Sequence, residues 1–431
     1  HLSIRRQRQM CIRDRLYRCL DQLLPAKTKL ERHLKERYGD LFGAEFDVLL
    51  YDLTSTYVEG AAEKNEMVRR GYSRDHRPDC EQVVVALIVN QEGFPLSYET
   101  FNGNRNDATT LEAVIRLVER KYGRARRVWV FDRGVVSEEN LALLRRRNGQ
   151  YLVGTPRSKL KQFERELLEG GWEQVCPEVE VKCVTVPGGE ETYILCRTAG
   201  RREKERAIRG RFSRGLETAL SRLERSIATG RLKDRFKIER RLGRLQERYP
   251  QVADLYEMKI AEQGGQLRLD WRKLPDRDEW QQAREGAYLL RTNLAAQSAS
   301  ELWKTYIQLT EAEAAFRVLK SELAIRPLFH QLERRVKAHI LVAFLGYALW
   351  VTLKHLLCRK AIELSPGRVL ALLSMIQSAD IVLPTTDGRE IRLRRVTTPT
   401  AEQKTLLAQL GLHPPDRLET NLECSVNAAN A

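Results

Sequence analysis

No Cys-x-x-Cys pair occurs in the chain. Its eight cysteines, Cys11, Cys19, Cys80, Cys176, Cys183, Cys196, Cys358 and Cys424, are scattered along the sequence. That scatter argues against a structural zinc site or a disulfide framework and fits a reducing cytoplasm. Long hydrophobic runs are also missing. The longest, "ILVAFLGYALWVTL" from Ile340 to Leu353, is short for a bilayer span and is expected to be a buried core helix, so no membrane partner is expected. Neither a secretory signal nor a fixed-period repeat is expected from the sequence.

What is present is a globular composition with an excess of positive charge. Of 431 residues, 42% are hydrophobic and 31% charged, and the formal net charge is +16. A length of this order allows a large core and more than one structural unit. A polyanion, most simply nucleic acid, would account for the charge, although a basic protein of another kind fits the composition nearly as well. The stretch "RRQRQMCIRDR", Arg5 to Arg15, is the translation of a DNA segment resembling transposon-end adapters used in sequencing libraries. Residues 1–15 are therefore expected to be an assembly artefact and are set aside. Their five arginines and one aspartate leave the rest near +12, so the basic excess survives.

Residues 16–45 have helical spacing, with the first helix ending near Gly39. An apolar β-rich run from Phe46 to Asp52 follows. "QVVVALIVN" is a strand, "EGF" its turn and "PLSYETF" its antiparallel partner. A helix ending at Gly123, with Asp107 or Thr109 near its cap, leads to the buried strand "RRVWVFDRG". A helix capped by Ser137 and the strand "YLVGTP" complete the pattern. Two hairpin-linked strands followed by strand–helix–strand connections imply a mixed sheet covered by helices over residues 46–156. Residues 157–285 contain β-like pieces and then a charged helical stretch from Arg201 to Arg248. That stretch is expected to be a solvated helical hairpin with one apolar stripe, with phosphate contact by its arginines as the other reading. Residues 286–360 resume with the strand "GAYLLRTNL" and a helix-rich segment. Residues 361–431 form a mixed region with "TTDG" as a turn and a disordered end.

Asp52 closes "VLLYD" and Asp132 closes "VWVFD". On adjacent parallel strands they would meet at one sheet end, where α/β active sites form. Close carboxylates repel unless a cation separates them, and Mg²⁺ takes few carboxylates plus substrate phosphate. Either aspartate alone serves equally as a turn residue. On "TYIQLTEAEAAFRVLK", Thr305 to Lys320, a single helix would align Leu309, Ala312, Phe316, Leu319 and Leu323 as an apolar stripe. Tyr306, Glu313, Arg317 and Lys320 would form the face beside it, and Glu311 would lie outside with Glu322, in water. A surface ion pair between Glu313 and Arg317 is the plain alternative for Glu313. His330 and His339 lack metal-ligand partners at a useful spacing.

These segments resemble the DDE transposases of bacterial insertion sequences, in the branch with a Tyr–Arg–Glu–Lys signature. Tyr306, Glu313 and Lys320 fall in its register, while Leu309 occupies the Arg position. "LYDLTSTYVEG", "GYSRDHRPD", "FDRGVVSEENL", "YLLRTN" and "LKSELAIRPLFHQLERRVKAHILVAFL" belong with it, from Leu16 to about Leu357. The resemblance implies an α/β fold: a ribonuclease H-like mixed sheet flanked by helices, interrupted by a β-rich plus helical insertion before the glutamate helix. It implies Asp52, Asp132 and Glu313 as catalytic residues and ligands of two Mg²⁺ ions, with Mn²⁺ able to substitute. Tyr306 and Lys320 would contact DNA phosphates, with Arg317 standing in for the missing arginine.

The implied activity is metal-dependent cleavage and strand transfer in cut-and-paste transposition. DNA, both element ends and target, would be the partner. A homodimer is expected in the DNA-bound complex, at the nucleoid of a bacterial cytoplasm. The other function class is an inactive, truncated transposase that only binds DNA. Such proteins usually begin with an end-recognising module, so the chain is expected to be truncated at its N-terminus and to discriminate poorly between DNA sequences.

Overall fold

The computed structural model describes residues 15–413 apart from 61, 64, 187, 188, 190, 264, 265, 295, 296 and 385–389. The adapter-like segment up to Asp14, the turn "TTDG" and the tail expected to be disordered lie outside the described residues. Residues 15–23 are helical, and after them come α1 (Lys27–Phe42), β1 (Val48–Tyr57), β2 (Gln82–Val89) and β3 (Pro95–Asn102). Next come α2 (Leu111–Tyr122), β4 (Val128–Phe131), α3 (Glu138–Arg146) and β5 (Gln150–Gly154). The middle of the chain holds α4 (Glu164–Leu168), β6 (Glu173–Cys176), β7 (Val179–Thr185), β8 (Thr192–Thr198), α5 (Ala199–Ala228) and α6 (Arg235–Arg248). After these lie β9 (Tyr256–Gln263), β10 (Gln266–Lys273), α7 (Pro275–Arg284), β11 (Ala287–Thr292), α8 (Ala299–Ile307) and α9 (Leu309–Ser321). The last elements are α10 (Glu333–Arg359), α11 (Pro366–Ser374), β12 (Ser378–Pro384), β13 (Glu390–Val396) and α12 (Ala401–Leu410).

The chain forms two compact units. The first takes the described parts of His1–Glu45, Thr54–Asn104 and Glu313–Ala431; the second takes Phe46–Leu53 and Arg105–Ala312. Strand β1 contributes to both. The main sheet has the order β3-β2-β1-β4-β5-β11-β8-β7-β6. β1 pairs with β4 and β4 with β5 in parallel, whereas β2–β3 and the pairs from β5 through β11 to β6 are antiparallel. This is the expected α/β fold class, a large mixed sheet flanked by helices. The β-like pieces after residue 157 do not form a sheet of their own. β6, β7 and β8 extend the main one, because β11 offers β8 the edge that β5 leaves open.

In the first unit β2 is buried at every position, which explains its nearly unbroken run of Val, Leu and Ile. Helix α1 covers β3 through Tyr38, whose ring lies 4.7 Å from that of Phe94, and through buried Glu31, which accepts the Ser97 hydroxyl at 2.9 Å. α1 ends at Gly43 rather than at Gly39. Gly43 adopts the left-handed conformation at φ 67° that closes the helix, while Gly39 stays inside it. The apolar run expected as a short core helix belongs to α10, whose 27 residues are by length and composition enough to cross a membrane. Here Ile340, Phe344, Tyr347 and Val351 are buried. Phe344 packs on Tyr98 with ring centroids 4.9 Å apart, and Tyr347 donates to the Gly93 carbonyl at 2.9 Å.

In the second unit α2 buries Leu111, Val114, Ile115, Leu117 and Val118. The turn before it is capped by Asn106, whose side chain accepts from the Ala108 amide, and not by Asp107 or Thr109. Ser137 caps α3 as expected. The helical hairpin α5–α6 and the ribbon β9–β10 share a core of their own, centred on Leu216, Leu220, Leu223, Ile238, Leu242 and Leu269.

Gly103 marks a close backbone approach in the first unit. A Cβ there would lie 2.0 Å from the Gln82 carbonyl oxygen and 2.3 Å from that of Arg69. Gly103→Ala is therefore expected to lower unfolding free energy by about 2 kcal/mol or more. Gly39→Ala, in open space within α1, should instead stabilise by roughly 0.5–1 kcal/mol. Urea denaturation of the two variants checks the contrast.

Candidate active site

Parallel pairing fixes the level of the two aspartates. The register of β1 and β4 ends on Tyr51 opposite Phe131, and both of these side chains are fully buried. Asp52 and Asp132 each follow by one residue. Because successive side chains in a strand alternate between faces, both carboxylates lie on the opposite side from those buried rings. Asp132 immediately follows β4 and opens a turn, its carbonyl accepting from the Val135 amide at 3.2 Å. Asp52 does not end its strand, as the apolar run suggested. β1 continues to Tyr57, and Asp52 marks the point where pairing with β4 stops. Its Oδ1 accepts the Leu53 amide at 2.8 Å.

Tyr306, on α8, donates its hydroxyl to Asp132 Oδ1 at 3.2 Å. The fit depends on Gly154, the last residue of β5. A Cβ at that position would lie 2.7 Å from the Tyr306 hydroxyl and 3.1 Å from Asp132 Oδ1. Burial, followed by the charge of Asp132, pushes the Tyr306 phenol well above the ordinary tyrosine range. Asp107 Oδ2 comes within 3.7 Å of where a Gly134 Cβ would be, in the turn after Asp132.

Glu313, Arg317 and Lys320 belong to the first unit. The expected continuous helix is interrupted at Gln308, so α8 and α9 are separate. The angular reading carried Tyr306 across that break. Within α9 the apolar stripe holds: Leu309, Ala312, Phe316 and Leu319 are buried. Leu309, standing where the signature has Arg, is thus a core residue. The placing of the two glutamates is reversed, since Glu311 is half-buried and Glu313 exposed. Glu311 lies next to Ala312 in the first turn of α9, where the break sets the orientation. Glu313 and Arg317 form no ion pair with each other, and neither side chain has a polar partner among the described residues.

Lys320 is not free. Its Nζ lies 2.7 Å from Oδ1 of Asp75, an acid whose side chain is 2% exposed. Arg326 pairs with the same oxygen. Desolvation lowers the Lys320 pKa, with Asp75 opposing the shift. Sequence reasoning missed Asp75 and Gly154. Asp75 stood within the quoted "GYSRDHRPD", but its partners lie 245 and 251 residues away. His330 and His339 approach at 3.3 Å, and desolvation lowers both pKa values.

Asp52 and Asp132 supply the hard oxygen donors that Mg²⁺ prefers. Among the described residues, no group of three or more His, Cys, Asp or Glu is arranged to hold a metal ion. Asp52 and Asp132, each one residue past the last β1–β4 pair, are the carboxylates that a cation keeping its waters and taking substrate oxygens would meet.

A family model described as the transposase DDE domain matches residues 43–349, which include Asp52, Asp132, Tyr306, Glu313, Arg317 and Lys320. No curated protein sequence matches the chain. Among solved structures, the chain is similar to the cryo-EM structure of a piggyBac transposase synaptic complex with hairpin DNA. Identity is 7% and the TM-score 0.39, over 77% of this chain and 52% of that one. The chain spans about half the length of that protein, and the likeness is too slight to carry a conclusion.

Tyr306→Phe is expected to cost about 0.5–1.5 kcal/mol, the worth of one hydrogen bond. Because the folded state raises this phenol's pKa, its contribution is complete below the unfolded value near about 10 and is lost at higher pH. Difference titration in the ultraviolet should show one fewer tyrosine ionising above the usual range. Asp75→Ala should cost about 3 kcal/mol by leaving two partly buried cations unpaired, measurable by urea denaturation.

Proposed function

The chain belongs to the family of transposase DDE domains, and we propose that it is a DNA transposase whose Asp52, Asp132 and Glu313 serve strand cleavage and strand transfer. The observation that carries this reading is the parallel register of β1 and β4, whose last paired residues, Tyr51 and Phe131, immediately precede the two aspartates. Glu313 supports it by being exposed, with no ion pair to Arg317 and no other polar partner among the described residues. When bound at these carboxylates, Mg²⁺ or Mn²⁺ supplies activation of a water or DNA 3′-hydroxyl and stabilisation of the leaving oxygen.

The chain's own residues prepare that chemistry. The Leu53 amide donates to one oxygen of Asp52, and the Tyr306 hydroxyl donates to one oxygen of Asp132. Such outer hydrogen bonds hold ligands in one orientation. Tyr306 thus acts first on Asp132, with phosphate contact as a further role. The Arg317 side chain, without a polar partner among the described residues, would meet phosphate. Lys320 reaches it with its ammonium already oriented by Asp75. DNA, as element ends and as target, is the partner. Joining two ends makes a DNA-bound homodimer the natural assembly, at the nucleoid in the cytoplasm.

Purified protein should nick duplex DNA with Mg²⁺ or Mn²⁺ and join a 3′-end to target DNA. Activity should fall to background in Asp52→Ala, Asp132→Ala and Glu313→Ala. Duplex binding with no cleavage under either metal would leave only a DNA-binding protein, and hydrolysis without joining would indicate a nuclease.

A further inference from the structure

Much of the chain's positive charge is concentrated on the α5–α6 hairpin. α5 carries nine Lys and Arg against four Glu, and α6 six against two. The apolar stripes of both helices are committed to a local core. Leu216, Leu220, Leu223 and Ile227 of α5 pack with Ile238 and Leu242 of α6 over Tyr256 and Leu269. Most of the cations therefore face outward by the helical period, while Arg209 turns to Asp278 and Glu285.

Of the six hairpin acids, two turn to the local core and two pair with arginines outside the groove lined by Arg222, Arg241 and Arg244. Glu217 accepts the Tyr256 hydroxyl at 2.6 Å, and Glu224 accepts the Trp271 indole N–H at 3.1 Å. Glu205 pairs with Arg157 and Arg201, and Glu239 with Arg235. Glu203 and Glu247 are exposed and make no ion pair among the described residues. Arg222 of α5 and Arg241 and Arg244 of α6 line one groove of about 290 Å³ with Ser226, over Leu223 and Leu245. All three arginines are exposed, and none has a carboxylate partner among the described residues. Like charges converging without a counter-ion repel one another, an arrangement suited to an anionic occupant.

We infer that this groove is a binding surface for the phosphate backbone of duplex DNA, separate from the aspartate pair. Lys237, Arg241, Arg244 and Arg248 recur at helical spacing along α6, a ridge of about 16 Å at 1.5 Å per residue. That length meets several successive phosphates of a duplex, and guanidinium forks suit phosphate oxygens. No carboxylate lines the groove. The contact is to backbone, so it adds affinity without sequence preference. The choice of DNA as the polyanion rests on the proposed transposase function; the cationic groove itself does not.

The test is the affinity of the full chain for a random-sequence 25-base-pair duplex, by fluorescence anisotropy across a salt series without divalent metal. The triple variant Arg222→Gln, Arg241→Gln, Arg244→Gln should lose at least about tenfold in affinity at physiological salt. Its salt slope should fall by about two to three, at 0.9 per phosphate contact. A charge-matched control, Arg120→Gln, Arg124→Gln, Arg146→Gln, neutralises exposed arginines and should stay within twofold of the parent. An unchanged slope in the groove variant, or an equal loss in the control, overturns the inference. So does loss of RNA binding with duplex DNA binding intact. Failure of the triad reading would appear only in the nicking assay and would leave this slope untouched.

Discussion

Parallel pairing of β1 with β4 sets the level at which the candidate chemistry is placed. Parallel strands in register present equivalent residues to the same face, so the burial of Tyr51 and Phe131 on one side directs the next residue of each strand to the other. Tyr51 is also held through its hydroxyl, 2.7 Å from Thr110 Oγ1, and this ties β1 to the start of α2. The same sheet end receives Tyr306, admitted because β5 finishes on a glycine. A slip of one residue between β1 and β4 would turn one aspartate into the core, so hydrophobic burial is what enforces the polar geometry.

Charge is organised by how much each group is desolvated. Inside the first unit a single acid, Asp75, holds Lys320 and Arg326. In the second unit Arg291, 7% exposed, bridges Glu138 and Glu191, and this holds the Glu138 carboxyl down at about 2. These pairs order the chain between segments distant in sequence. On the hairpin the opposite holds, because acids turn to the core aromatics and leave arginines in water. The basic excess seen in the composition is therefore uneven, paired at buried positions such as Arg291 and without a carboxylate partner among the described residues at Arg222, Arg241 and Arg244.

The glutamate helix shows how far periodicity carries. The apolar stripe of α9 follows directly from side-chain spacing, and Leu309 falls on it. The angular comparison of Glu311 with Glu313 assumed one unbroken helix from Thr305 onward, and the interruption at Gln308 removed that assumption. Nothing local announces the break, since neither Pro nor Gly stands there. The same limit applies to Asp52. Its apolar run was legible, but the further course of β1 to Tyr57 depends on neighbours that the run does not contain.

The sequence by itself determined the strands and helices with strong hydrophobic periods, the α/β class, the concentration of charge on residues 201–248 and the motifs that mark Asp52, Asp132 and Glu313. These are local properties, written in the spacing of apolar, capping and charged residues. Only the tertiary structure decided that β6–β8 extend the main sheet, that Tyr306 donates to Asp132 across Gly154, and that Asp75 holds Lys320. It also decided which arginines of the hairpin remain unpaired. Each depends on contacts between residues far apart in the chain, and side-chain spacing along one segment carries no information about the partner that another segment brings.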